Sequence, residues 1–362
     1  MTSSLPIISL TSPTLPRDLL QGLCPSGPSE GPTGFFYLVD HQVPPAELHG
    51  AFEASRCFFE EESEEEKRKT IDRTGHTGWT GVGEESLDPT KKVAEADVKE
   101  SFYVSLSVLS TPPSRECSPQ TLPPTLLAKR ENHIALTGLL QHCRRVCEAL
   151  LDGFEKALQL EEGLFKERHR GGEDDRMRLI RYPAQHPSTP ATNGQGEQQI
   201  RSGIRAGAHS DYGSLTLLAQ SDIGGLQVRD QTSMGTEEKW LDVPPREGAL
   251  VVNIGDCLEF WSRGLLPSTV HRVVEPRVDA ERDARYSIAY FHHPSPNSSL
   301  SPLSPSLLPP ELVKRFPPLE EWREKCLRKG IPEEALPKED GSEIQAMTGG
   351  EYLKKRLKGS GL

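Results

Sequence analysis

Two histidines and one aspartate in this chain could bind a divalent metal ion together. His209 and Asp211 are separated by one residue, and His271 follows 60 residues after Asp211. On extended backbone, His209 and Asp211 point to the same face, whereas Ser210 points away. Two neutral imidazoles and one carboxylate can occupy one face of an octahedral iron(II), which leaves three adjacent positions for a bidentate cosubstrate and O2. These residue types therefore predict a non-haem iron(II) centre.

A second group of residues strengthens this prediction, because a pair of the form H-x-D is a weak signal by itself. Arg285 lies 14 residues beyond His271, and it shares one face of a predicted strand with Ser287. A guanidinium with a hydroxyl beside it suits the distal carboxylate of 2-oxoglutarate, through charge-assisted hydrogen bonds. An isolated arginine would more often pair with a surface carboxylate. The ordered set favours an oxygenase site.

Short apolar runs, separated by Gly, Pro, Asp or Asn, predict the strands that position these residues. Their spacing is typical of an antiparallel sandwich or barrel. Helical spacing of apolar residues predicts helices over 45–59 and 126–160. The predicted strands are 5–10, 34–39, 99–104, 177–182, 214–219, 225–228, 249–254, 269–274 and 286–291.

The composition restricts the partners and the location of the protein. A net charge of -11 would repel a phosphate backbone, and no basic patch offsets it, so we expect no nucleic-acid partner. No long apolar run predicts a membrane span, and no secretory signal is recognisable at the N-terminus. The seven cysteines are scattered and odd in number, which argues against a disulfide framework or structural zinc. We expect a cytoplasmic protein with reduced thiols.

The sequence resembles the iron(II)/2-oxoglutarate oxygenases of the isopenicillin N synthase-like superfamily. The resemblance extends over most of residues 5–295. The sequences of several segments are similar to those of thymine hydroxylase and of fungal tailoring dioxygenases. The segments that carry it, besides those around His271 and Arg285, are AGAHSDYGSLTLL (206–218), GGLQV (224–228), ALVVNIGD (249–256), LPII (5–8) and GFFYLVDH (34–41).

The resemblance implies a distorted double-stranded β-helix (jelly roll), mostly β with flanking α, with a helical N-terminal region and a helical C-terminal tail. It implies that Fe(2+), 2-oxoglutarate and O2 are required, with ascorbate as a candidate supporting reductant. Tyr182 matches a family tyrosine that faces the cosubstrate. Ile180 departs from the asparagine that many plant members carry, which removes one expected polar partner of the cosubstrate. Trp79 and Phe102 are candidates for the substrate wall and equally for plain core aromatics.

Four regions follow from these observations. Residues 1–125 are expected to form an N-terminal oxygenase region with the substrate loops, and 126–172 a long supporting helix. Residues 173–295 would form the jelly-roll core, and 296–362 a tail that is first rich in Pro and Ser and then helical. The chain is long enough for one such domain, and we expect a monomer.

The reaction implied by the resemblance is hydroxylation, desaturation or ring closure of a small organic substrate, with release of succinate and CO2. One alternative is an iron oxidase of the same fold that uses no 2-oxoglutarate, with Arg285 and Ser287 holding a substrate carboxylate. An alternative from another class is a non-catalytic jelly-roll binding protein. A serine hydrolase based on Ser210 is excluded, because that side chain points away from its neighbours and no G-x-S-x-G elbow is present.

Overall fold

The computed structural model describes residues 5–23, 34–71, 78–87, 97–110, 122–171, 175–184, 191–192, 198–199, 203–230, 238–276, 283–337 and 344–359. Its strands are β1 (Ile7–Ser9), β2 (Phe35–Val39), β3 (Gly78–Thr80), β4 (Glu100–Ser105), β5 (Arg176–Tyr182), β6 (Ala191–Thr192), β7 (Gln198–Gln199), β8 (Ile204–His209), β9 (Leu215–Gln220), β10 (Leu226–Arg229), β11 (Trp240–Asp242), β12 (Leu250–Ile254), β13 (His271–Val274) and β14 (Arg285–His292).

Helices surround these strands. They are α1 (Leu15–Leu23), α2 (Pro45–Arg56), α3 (Glu64–Lys69), α4 (Leu106–Ser110), α5 (Pro124–Ala128), α6 (Arg130–Leu158), α7 (Leu164–Arg168), α8 (Asp256–Trp261), α9 (Pro310–Val313), α10 (Leu319–Arg328) and α11 (Gly349–Gly359). In the described part of the chain, none of them combines the length and the apolar character that crossing a lipid bilayer requires.

Two facing sheets form the jelly-roll core that the sequence predicts. The larger sheet has eight strands in the order β1-β2-β12-β9-β14-β5-β4-β3, and the smaller has four in the order β11-β10-β13-β8. Strand β12 illustrates why the larger sheet forms: its apolar residues are all buried, and it pairs antiparallel with both β2 and β9. Strands covered on both faces need such continuous apolar runs.

Helix α6 supports the large sheet from outside. It buries one broad apolar stripe that includes Leu139, Cys143, Cys147 and Leu150, and it packs beside α1 and α2. The two cysteines are therefore core residues. Gly50 of α2 permits the close approach, because a Cβ there would lie 2.8 Å from the Cβ of Ala135.

The predicted elements agree with the structure except near a few ends. The helix expected over 45–59 leaves α-helical geometry after Arg56 and continues as a π-helical turn, Cys57–Glu61. The helix expected over 126–160 is two helices, because Lys129 adopts an extended conformation between α5 and α6. Helix α8 and strand β11 are among the elements that the sequence did not predict. Each is short, so periodicity carries little information about it.

Candidate active site

The strands β8 and β13 bring the two predicted histidine ligands together. They pair antiparallel with His271 directly opposite His209, and the two ring centroids are 4.3 Å apart. Asp211 follows two residues after the end of β8. Its Oδ1 lies 3.9 Å from Nε2 of His209 and 3.8 Å from Nε2 of His271. The three side chains therefore offer ligand atoms that all lie within 4.8 Å of one another.

The hydrogen bonds around these three side chains leave one free ligand atom on each. Nδ1 of His209 donates to the carbonyl of Gly207 over 2.8 Å, and Nδ1 of His271 faces the carbonyl of Thr269 at 3.4 Å. A carbonyl can only accept, so both protons lie on Nδ1 and both Nε2 atoms keep their lone pairs. Such outer hydrogen bonds fix the tautomer and orientation of metal-binding imidazoles.

The carboxylate of Asp211 is held in the same manner. Its Oδ2 accepts hydrogen bonds from Thr216 Oγ1 over 2.6 Å and from Asn253 Nδ2 over 2.7 Å, which leaves Oδ1 facing the imidazoles. The donor set of two imidazole nitrogens and one carboxylate oxygen fits a 2-His-1-carboxylate iron(II) site. The residues present therefore fit the metal that the sequence predicts.

Charge effects keep these groups in the forms that bind a cation. Burial, and then the proximity of His271, lower the pKa of His209, so its imidazole is neutral at pH 7. Burial alone would raise the pKa of Asp211, but the two imidazoles and the hydrogen bonds from Thr216 and Asn253 hold it below its usual value. The pair therefore presents a neutral imidazole and an ionised carboxylate.

The turn after β8 is fixed by contacts with α8. Ser210 points away from the metal ligands and donates to Asp256 Oδ2 over 3.2 Å, and the Asp256 amide donates to the carbonyl of Asp211 over 2.8 Å. Gly255 is required there, because a Cβ would lie 2.2 Å from the carbonyl oxygen of Gly213. These contacts fix the backbone that carries Asp211.

A cavity of about 580 Å³ extends from the three ligand residues into the jelly roll, towards Arg285. Nη2 of Arg285 donates to Gln220 Oε1 over 2.9 Å, and Nη1 lies 3.4 Å from Ser287 Oγ. The guanidinium carbon is 4.8 Å from the ring centroid of Tyr182. Burial lowers the pKa of Arg285, and no carboxylate among the described residues forms an ion pair with it. The cavity therefore ends at a buried cation.

A second cavity, of about 680 Å³, also reaches His209 and Asp211, and it further shares Leu87, Arg178 and Phe291 with the first. Its wall is largely apolar and aromatic, and it includes two side chains of α11 from the C-terminal tail. Besides His209 and Asp211, the lining residues are Glu85, Leu87, Tyr103, Arg176, Arg178, Ser210, Tyr212, Phe291, His293 and, from α11, Leu353 and Leu357.

The two aromatic residues proposed for the substrate wall are not brought to either of these cavities. Trp79 and Phe102 face each other on β3 and β4 and belong to the main core, where the ring centroid of Phe102 lies 4.4 Å from that of Phe58. Trp79 Nε1 donates to Glu100 Oε2 over 3.0 Å. Their neighbour Tyr103, on the opposite face of β4, lines the larger cavity instead. The alternating faces of a strand account for the difference.

Several site residues were not assigned a role from the sequence. Thr216 and Asn253 could have been recognised, because each is a polar residue flanked by apolar residues within a strand, and a buried polar side chain needs a partner. Glu85, Leu353 and Leu357 carry no comparable signal, since they reach the cavity from a loop and from the distant tail.

Comparisons with known proteins identify the family of the chain. The model of the 2OG-Fe(II) oxygenase superfamily matches residues 174–294, and that of the non-haem dioxygenase N-terminal region, described for morphine synthesis, matches residues 31–125. UPF0676 protein C1494.01 of Schizosaccharomyces pombe is 34% identical over 272 residues, which cover 75% of this chain and 77% of the relative. Homoarginine-6-hydroxylase 2-ODD-C23 of Glycine max is 31% identical, with 75% and 76% covered.

Among solved structures, the full-length thymine hydroxylase of Neurospora crassa in complex with alpha-KG has a TM-score of 0.70. It is 24% identical, and the match covers 98% of this chain and 96% of that one. The chain belongs to the 2-oxoglutarate–iron(II) oxygenase superfamily. It is an oxidoreductase, a dioxygenase that uses Fe(2+), 2-oxoglutarate and O2 to hydroxylate a small organic molecule.

Proposed function

We propose that His209, Asp211 and His271 hold the iron and that the cavity around Arg285 holds 2-oxoglutarate. The observation that carries this proposal is the set of three free ligand atoms within 4.8 Å of one another, each fixed by a hydrogen bond on its outer side. In this role, Arg285 and Ser287 bind the distal carboxylate, and Tyr182 forms the wall under the guanidinium. A buried guanidinium that pairs with no acid in the described ranges suits an anionic ligand.

The bound iron supplies the activation of O2 that the organic groups of the protein cannot supply. The side chains of this chain position and shield the reacting groups. Thr216 and Asn253 keep Oδ1 of Asp211 turned towards the two imidazoles. Phe291 borders both cavities and, with Leu87, keeps water away from the space between cosubstrate and substrate.

The cavity of about 680 Å³ is the proposed substrate site, because it reaches His209 and Asp211 and does not include Arg285 among its lining residues. We propose Tyr103 and Phe291 for the aromatic wall, rather than Trp79 and Phe102. The names of the relatives leave the substrate open: one is a homoarginine hydroxylase, and one structure of the Neurospora crassa thymine hydroxylase contains thymine. A nitrogen-containing small molecule of about that size fits the cavity.

We further propose a monomer in the cytoplasm, on the basis of the acidic composition and the scattered cysteines. The described cysteines are buried and free, which is consistent with a reducing compartment. The four regions 1–125, 126–172, 173–295 and 296–362 are proposed as parts of one domain, since α6 and the tail both pack on the jelly roll.

An anaerobic titration tests the assignment of the iron and cosubstrate sites. Iron(II) is added to the metal-free chain, then 2-oxoglutarate, and binding of each is measured by calorimetry and by the visible charge-transfer absorption. Arg285→Lys should weaken 2-oxoglutarate binding by about 100-fold, because an ammonium cannot replace the bidentate fork, whereas iron binding stays unchanged. Unchanged 2-oxoglutarate affinity would contradict the assignment of Arg285.

A screen of small molecules for 2-oxoglutarate-dependent succinate release would then identify the substrate. Arg17→Lys is a matched control for Arg285→Lys, because Arg17 is exposed on α1, far along the chain from the site. Product formation without any 2-oxoglutarate would favour the iron oxidase alternative.

A further inference from the structure

A buried group of four charged side chains lies beside the proposed iron site and has no role in the mechanism above. It contains Glu85, Asp97, Lys99 and Arg178, each less than 5% exposed. Lys99 Nζ lies 2.9 Å from Glu85 Oε2 and also contacts Asp97. Arg178 Nη2 donates to the same Glu85 oxygen and, over 2.8 Å, to Ser101 Oγ. The group contains two acids and two bases, so it is neutral as a whole.

Within the part of the chain that the structure describes, two atoms of this group have no hydrogen-bond partner. They are Oε1 of Glu85 and Nε of Arg178; both side chains line the larger cavity, and that of Arg178 borders the smaller cavity as well. Buried polar atoms are nearly always hydrogen-bonded, and an exception at a cavity indicates a ligand that supplies the missing partner. The ion pair thus offers a ligand one unused acceptor, Oε1 of Glu85, and one unused donor, Nε of Arg178.

The backbone around this ion pair is well fixed. The Asp97 amide donates to the carbonyl of Glu85 over 2.8 Å, which ties the loop after β3 to the segment before β4. Arg178 lies on β5, which pairs with both β4 and β14, and its guanidinium lies 4.5 Å from the ring centroid of Tyr103. The two atoms are therefore held in place before any ligand binds.

The charge state of Glu85 determines what kind of ligand fits. Burial by itself would raise the pKa of Glu85, but Arg178 and Lys99 lower it to about 2, so the side chain is a carboxylate that can only accept. Nε of Arg178 can only donate. An anionic ligand would be repelled by the free oxygen of Glu85, and a cationic one would add a charge that the neutral group does not balance.

We propose that Glu85 and Arg178 recognise the substrate through a neutral amide-type group, in which an N–H stands beside a C=O. Carboxamides, lactams and cyclic ureides belong to this class. The N–H donates to Glu85 Oε1, and the C=O accepts from Arg178 Nε. The body of the substrate lies against the aromatic and apolar wall near Tyr103 and Phe291. This inference rests on the proposed function, in that it takes the larger cavity as the substrate site.

Three probes of nearly equal size test the proposal: benzamide is neutral, benzoate is anionic and benzamidine is cationic. Their binding to the chain loaded with Zn²⁺ and 2-oxoglutarate is measured by ligand-detected NMR, which reports millimolar affinities. We expect benzamide to bind at least about tenfold more tightly than either charged probe. Equal affinities, or a preference for a charged probe, would overturn the proposal without any use of variants.

Two variants then assign the effect to Glu85. Glu85→Gln should weaken benzamide binding about tenfold or more. Asp97→Asn removes an acid from the same buried group, but Asp97 does not line the cavity. We therefore expect Asp97→Asn to change the benzamide affinity by less than about threefold. An equal effect of both variants would contradict the assignment. Calorimetry of 2-oxoglutarate binding is the independent check. If the unsubstituted protein does not bind 2-oxoglutarate, the proposed function is wrong, and the result does not bear on this inference.

Discussion

Asn253 donates a hydrogen bond of 2.7 Å to Oδ2 of Asp211, the carboxylate oxygen that faces away from the two imidazoles. The contact links the centre of the large sheet to the turn that carries Asp211, because Asn253 lies on the buried strand β12. The orientation of a metal-binding carboxylate is thus set by a residue that touches no metal.

Replacement of Asn253 by leucine should therefore weaken metal binding. The volume is nearly kept, but Asp211 loses one of the two hydrogen bonds that hold Oδ2, so the carboxylate becomes free to rotate. Loss of such an outer hydrogen bond typically costs about 10–100-fold in metal affinity. Calorimetric titration of the metal-free protein with iron(II) under anaerobic conditions measures the change.

Asn132→Leu is the matched control for that experiment. Asn132 is also a buried asparagine, in α6, and its Nδ2 has no hydrogen-bond partner among the described residues, so no metal-directed contact is lost. If both variants bind iron(II) equally well, the hydrogen bond from Asn253 has no role in holding the carboxylate.

The tail contributes Leu353 and Leu357 to the wall of the larger cavity, so substitutions of these residues should change the KM for the substrate. Leu353→Ala should raise the KM for the substrate about tenfold, because apolar contact area is lost on one side of the cavity. The KM for 2-oxoglutarate should stay within about twofold, since the tail does not line the other cavity. Succinate release, measured against each concentration in turn, separates the two constants.

Lys354→Ala serves as the control, because Lys354 is the exposed neighbour of Leu353 on α11. A variant at Leu353 that changes both KM values equally would indicate a general structural defect rather than a lost wall of the substrate cavity.

Lys329 anchors the tail through ion pairs with Asp256 and Glu259, and these ion pairs should stabilise the folded protein. Lys329 Nζ lies 2.6 Å from Asp256 Oδ1 and 2.6 Å from Glu259 Oε2, and both acids are buried. Lys329→Met leaves these acids short of a partner, which should lower the free energy of unfolding by roughly 3–5 kcal/mol. Lys355→Met, at an exposed position, should change it by less than about 0.5 kcal/mol. Urea unfolding gives both values.

The sequence was most informative where local pattern and residue type are sufficient. Alternation of apolar residues located the strands of the core, and the pair His209 and Asp211 shares a face because extended backbone repeats every two residues. The opposite position of His271 could not be calculated in this way. It depends on the antiparallel register of β8 and β13, which includes irregularities that no spacing rule predicts.

The substrate side was less predictable because its residues come from separate parts of the chain. Trp79 and Phe102 are aromatic and stand near the expected loops, yet they face the core, whereas Tyr103 faces the cavity. A shift of one residue along β4 is enough to change the face. Glu85 and Leu353 are brought to the same cavity only by the tertiary packing of a loop and of the tail, for which the sequence has no local signal.

The depressed pKa of Glu85 leads to a prediction about stability at acid pH. Arg178 and Lys99 hold the pKa at about 2 in the folded protein, against 4.5 for the ordinary side chain. The folded state therefore binds the proton less readily, and this contribution to stability is fully present above about pH 4.5. It is lost as the pH falls from about 4.5 through 2, because the unfolded chain takes up the proton first. In Glu85→Gln, the stability at neutral pH should be lower by a few kcal/mol, and its decline across that window should be shallower. Urea midpoints measured between pH 7 and pH 2.5 for both proteins decide the matter: parallel curves would show that Glu85 does not carry this part of the acid sensitivity.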